Sequence, residues 1–101
     1  MQNVTLNLND KGHGAFIIKE GEEQLGEMVV SISGSNLTVY HTEVEPQAEG
    51  KGLSKIMLQA MVDHARQHDL KVIPLCSFVN AQFKRHPEMY ADVKKQETGQ
   101  Q

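Results

Sequence analysis

The chain has 101 residues and a formal net charge of −3, with 10 Lys/Arg against 13 Asp/Glu. That length holds one small domain, and the dispersed basic residues form no footprint for nucleic acid. No apolar run approaches the ~20 residues that span a bilayer. A single cysteine, Cys76, rules out an internal disulfide. The opening MQNVTLNLND lacks the basic and apolar regions of a signal peptide, so a reducing cytoplasm is the expected location. Neither CxxC nor HExxH occurs and the five histidines are scattered, so no metal site is expected.

Val4, Leu6 and Leu8 alternate with polar residues, which predicts a half-buried strand over Asn3–Leu8. Asn9-Asp10-Lys11-Gly12 is turn chemistry. Ala15–Lys19 reads as a second strand, Glu20–Glu23 as a polar turn and Gln24–Ser33 as a third strand. Gly34-Ser35-Asn36 turns the chain into a fourth strand, Leu37–Val44. Four strands joined by short turns form an antiparallel meander.

The period then changes. Leu53, Ile56, Met57, Ala60, Met61, His64, Ala65 and His68 share one helical face, which predicts a helix over 51–68. Ser54, Lys55, Gln59, Asp63, Arg66 and Gln67 lie opposite. Met57 and Met61 read as core packing, and His64 and His68 as boundary residues. Lys71–Leu75 reads as a short buried strand, parallel to the fourth because a helical crossover joins them. Pro74 has no amide hydrogen for the ladder, so pairing should stop near it. A short helix over Phe78–His86 is stopped by Pro87, and a last piece, Glu88–Val93, is anchored by Tyr90 and Val93. The reading gives a single α+β domain over 1–94 and a flexible polar tail over 95–101, with frayed residues from Lys94 onward.

The stretch between the fourth strand and the long helix carries the chemistry. It ends Gln47-Ala48-Glu49-Gly50-Lys51-Gly52 and runs straight into Leu53. Amides at a helix start are unpaired donors beside the positive end of the helix dipole. Glycines let a phosphate approach them. The stretch therefore predicts a strand–loop–helix that holds a pyrophosphate. A Walker loop fits less well, because Lys51 is followed by Gly52 rather than Ser or Thr. A dinucleotide fingerprint needs a third glycine at 55, where the chain has Lys55.

The loop matches Q/R-x-x-G-x-G/A and resembles the coenzyme A loop of the GNAT (GCN5-related) acetyltransferases. Further matches are HTEV at 41–44, GKGL at 50–53, and PLCSFVNAQFKRHPEMYADV from Pro74 to Val93. Together these resemble the GNAT-like proteins of about a hundred residues. The last element reads His86-Pro87-Glu88-Met89-Tyr90, one residue longer before the tyrosine than the family's HPEY-like form.

The resemblance implies a minimal GNAT fold: a four-stranded antiparallel meander, a helix, a fifth strand parallel to and splayed from the fourth, and a short C-terminal helix. It implies acetyl-CoA or coenzyme A as cosubstrate, with no metal. The pantetheine arm would pair with backbone of Glu43 and Val44. The pyrophosphate would rest on the amides from Gln47, Ala48, Glu49, Gly50, Lys51 and Gly52 toward Leu53. Asn80 takes the place of the family's asparagine on the last helix, and Phe83 is nearest to its missing tyrosine. The family's helices between the first two strands are replaced by the turn Asn9–Gly14. That leaves the acceptor site open, for a protein or peptide amine.

Three side chains are candidates for the transfer. Cys76 follows the fifth strand at a helix start, where a dipole stabilises a thiolate. His41 and Glu43 alternate onto one face of the fourth strand and are candidate bases, with Tyr40 and Thr42 packed on the other. The leading reading is an N-acetyltransferase. The alternative is a coenzyme A or acetyl-CoA binding protein with little turnover, a sensor or an accessory subunit. A monomer or weak homo-oligomer is expected.

Overall fold

A computed structural model of the protein describes residues 2–96. The alternating segments form strands β1 (Gln2–Leu8), β2 (His13–Glu20), β3 (Glu23–Ser33) and β4 (Asn36–Val44). A single 3-10 turn at Pro46–Ala48 follows, then helix α1 (Leu53–Gln67), β5 (Lys71–Pro74), α2 (Ser77–Arg85) and α3 (Pro87–Tyr90). The five strands make one sheet in the order β1-β2-β3-β4-β5, antiparallel except for the parallel β4–β5 pair. Each strand reaches a residue or more beyond its expected bounds, except β5, which ends at Pro74.

Cross-strand partners share a sheet face, so the register sorts the side chains. Phe16 pairs with Met28 and Val30 with Val39, and all four are buried. Helix α1 packs on this face, in contact with β2, β3 and β4. The opposite face carries Ile17, Val29 and Thr38, which stay half-buried, and no helix of the described residues covers it. Among those residues, no helix is long and apolar enough to cross a membrane.

Helix α1 is shorter than 51–68 because Gly52 sits in the left-handed region at φ 74°, outside helical geometry. Its buried side also differs from the expected stripe. Ile56 is 39 % exposed, whereas Leu58 and Val62, absent from the expected face, are buried. The reason is that α1 has neighbours on two sides. The sheet takes Met57, Met61 and Ala65, and Leu58 and Gln59 border a cleft shared with Gln82 of α2 and Tyr90 of α3.

The C-terminal end is tied down further than expected. Lys94 bridges Val72 on the outer side of β5, and the Lys95 amide donates to the Val72 carbonyl at 2.9 Å. Fraying from Lys94 is therefore not what the backbone does at Lys94 and Lys95; the remainder of the expected tail, 97–101, lies outside the described residues. Arg66 holds Asp92 through two nitrogens, at 2.9 and 3.2 Å, and also donates to the Met89 carbonyl at 2.9 Å. This pairing fastens α1 to α3 and the chain beyond it.

Candidate functional site

Strand β4 outruns its neighbour on one side. Its pairing with β3 continues to Val44, opposite Gly26, but its pairing with β5 stops at Val39, opposite Pro74. The Cys76 amide makes the last link, to the Val39 carbonyl at 2.9 Å. From Tyr40 to Val44 the β5 side of β4 has no strand partner. Backbone groups there are free to pair with an extended ligand.

A cleft of about 490 Å³ lies along this gap. Thr42 and Val44 of β4 line it, with Ala48–Gly50 of the loop, Gly52–Lys55 at the start of α1, and Phe78 of α2. Gly50 and Gly52 have φ of 86° and 74°, and nothing lies within 4 Å of where a Cβ would stand. The glycines are required by the backbone path, not by crowding. Gly52 caps α1 without a side-chain hydrogen bond, and the Ile56 amide is the first to bond back, to the Gly52 carbonyl at 3.2 Å. The amides of Leu53, Ser54 and Lys55 therefore lack intrahelical partners. With the Lys55 side chain beside them, these donors suit a diphosphate. The residues present thus fit coenzyme A.

Some expected residues stand elsewhere. Gln47 turns toward β3, its amide donating to a Glu23 carboxylate oxygen at 3.3 Å. Lys51 is exposed and does not line the cleft. Phe83 does not reach the cleft either: it is 2 % exposed and stacked on Tyr90 with ring centroids 4.8 Å apart. Phe78, two residues into α2, is the aromatic that lines the cleft. Asn80 is half-buried, with its backbone amide on the Cys76 carbonyl at 2.9 Å.

Cys76 is the N-cap residue of α2 and is 6 % exposed. Its sulfur lies 3.3 Å from the Thr42 hydroxyl. His41 and Glu43 approach one another, Nε2 to Oε2, at 3.0 Å, and both are solvent-exposed. The register explains the separation. Thr42 pairs with buried Met28 and so faces the helices, while His41 and Glu43 pair with Val29 and Glu27 on the bare face. Tyr40 breaks the expected alternation. The register shifts at Val29/Val30, leaving Tyr40 unopposed, and its hydroxyl meets Ser31 at 2.8 Å on the side of His41. Thr42 therefore belongs to the cleft and Tyr40 to the open face, rather than both to packing.

Thr42, Ser54, Lys55 and Phe78 were not among the expected site residues. Lys55 and Ser54 had a sequence signal, since both fall in the first turn after the glycine loop. Thr42 had none that survives the irregularity at Tyr40. Among the described residues, no group of three or more His, Cys, Asp or Glu side chains could hold a metal ion.

The profile of the GCN5-related N-acetyl-transferase family matches residues 15–93. The chain belongs to this family. Membership makes it an acetyl-CoA-dependent N-acetyltransferase, and the fold agrees with solved relatives. It is similar to a GCN5-like protein from Staphylococcus aureus, with 27 % identity over 99 % of this chain and 97 % of that one, at a TM-score of 0.67. It shares its fold with the ribosomal-protein-alanine N-acetyltransferase from Brucella melitensis biovar Abortus, at 12 % identity and a TM-score of 0.68, over 100 % of this chain and 96 % of the other. No curated protein matches the chain.

Proposed function

We propose that the protein binds acetyl-CoA along the cleft and passes its acetyl group to an amine of a protein or peptide. The observation that carries this is the unpaired edge of β4 from Tyr40 to Val44, continuous with the Gly50–Leu53 amides at one end and Cys76 at the other. Acetyl-CoA supplies an activated thioester. The residues of the chain align it: Thr42 and Val44, whose backbone groups point away from β3, offer backbone partners in place of Glu43, the loop amides hold the diphosphate, and Phe78 and Val44 supply apolar contact.

Cys76 receives the acetyl group in this reading. Its sulfur attacks the thioester carbonyl, coenzyme A leaves as the thiolate, and the cysteine proton converts that thiolate to the thiol. The acceptor amine then attacks the acetyl carbon, the Cys76 sulfur leaves, and the amine's proton restores the Cys76 thiol. His41 and Glu43 stand on the other face of the sheet and take no part in this step. A second reading, coenzyme A binding with little turnover, draws on the short turn between β1 and β2, which leaves the acceptor side without a wall.

Calorimetric titration with acetyl-CoA, with free coenzyme A and ATP as controls, tests the binding. Saturation by the first two and none by ATP is expected. Intact mass after incubation then tests the chemistry. Gain of one acetyl group, lost in Cys76→Ala, supports the relay. Binding without label or product supports the second reading.

A further inference from the structure

The two edges of the sheet are treated differently. The β5 edge is short, carries Pro74, and is closed by Lys94 and Lys95 against Val72. The β1 edge has none of these devices. It is seven residues long, QNVTLNL, with no charge, no proline and unbroken pairing with β2 from Gln2↔Glu20 to Leu8↔Gly14. Among the described residues nothing pairs with its outer side. Proteins that remain single protect such edges with charges, prolines or bulges.

The hydrogen-bond phase of β1 follows from its hairpin. The Asn9 amide donates to the His13 carbonyl at 2.8 Å across the turn. Antiparallel pairs alternate between bonded and non-bonded, so Asn7, Thr5 and Asn3 direct their backbone groups at β2. Val4, Leu6 and Leu8 therefore direct theirs outward. A second β1 placed antiparallel about a two-fold axis at Thr5 brings Val4 opposite Leu6 of the other copy and Gln2 opposite Leu8. Every outward amide then meets an outward carbonyl. No other register uses the whole strand from Gln2 to Leu8 on both sides. Val4 and Leu6 lie on the face that packs against the core, so apolar side chains meet apolar ones across the axis. Asn3 meets Asn7 on the other face, and no like charges oppose one another.

We infer that β1 is a self-pairing edge: two copies of this chain join β1 to β1 about an axis at Thr5, giving one sheet through both molecules. The occupant is a second copy because the register is self-complementary and the strand has no charge for a charged partner to read.

Thr5 is exposed and sits on the axis, so it reports the pairing without disturbing the core. Thr5→Lys and Thr5→Glu each place two like charges opposite each other. Sedimentation equilibrium reads the mass. The expected result is twice the 11.3 kDa chain mass for the wild type at tens of micromolar, the single-chain mass for each variant alone, and recovery of the doubled mass when the variants are mixed in equal amounts. The mixture guards against misfolding, since a variant that had lost its fold would not recover. A wild type that remains at 11.3 kDa up to millimolar concentration overturns the inference. So does a dimer that persists in both single variants, because it uses another surface.

Discussion

At the scale of single residues, the two phenylalanines of α2 divide core from site. Phe83 is stacked on Tyr90 inside the core, while Phe78 is half-buried at the cleft. Truncating a buried phenylalanine removes its transfer free energy and leaves a cavity, about 3–5 kcal/mol. A domain with a total stability of about 5–15 kcal/mol loses much of it. Phe83→Ala is therefore expected to lower the urea midpoint sharply, whereas Phe78→Ala should move it little and weaken acetyl-CoA binding by about tenfold, near 1.4 kcal/mol. Urea titration and calorimetry on both variants check this. The reverse pattern would place the ligand against Phe83 instead. Sequence spacing could not separate the two rings, because both fall within nine residues that form a helix. What decides is the third partner, Tyr90, brought by a turn at His86-Pro87 whose direction local pattern does not encode.

At the scale of elements, the sequence was most legible where one physical rule acts alone. Alternation at Val4, Leu6 and Leu8, turn chemistry at Asn9–Gly12 and the glycines of the loop each have one local cause, and each led to the observed element. Legibility failed where a second partner overrode the local rule. Strict alternation puts Tyr40 on the side of Thr42, and the register shift moves it to the other. A single apolar stripe omits Leu58 and Val62 from the buried face of α1, and both are buried because the helix has two neighbours. The second case gives a clean contrast. Leu58→Ala should cost about 2–5 kcal/mol, as for other buried leucines. Ile56→Ala, at an exposed position, should stay within about 0.5 kcal/mol. Paired denaturant curves decide it, and equal losses would mean that α1 is rotated from the orientation described.

At the scale of the whole molecule, two ionisable groups tie stability to pH in the same direction. His64 packs edge-on against Phe16 and beside His68, with centroids 5.8 and 4.2 Å away. Desolvation, then the proximity of His68, holds its pKa below the ordinary histidine value. The unfolded chain therefore takes up a proton first as pH falls through about 6.5, and stability declines from there down to the folded value. Asp92 is also lowered, mainly by its hydrogen bond with Arg66. Its contribution is present above about 3.9 and is lost as pH falls through the lower folded value. The clasp is exposed, so this second step should be shallow. Urea midpoints across pH 8 to 3 should thus fall in two stages, one beginning near 6.5 and one below the carboxylate range. His64→Gln should remove the upper stage and Asp92→Asn the lower. The assignments to α1 and to its clasp are separable, because each variant predicts the survival of the other's stage. A midpoint that rises as pH falls through 6.5 would reverse the sign worked out for His64 and show that folding favours its charged form.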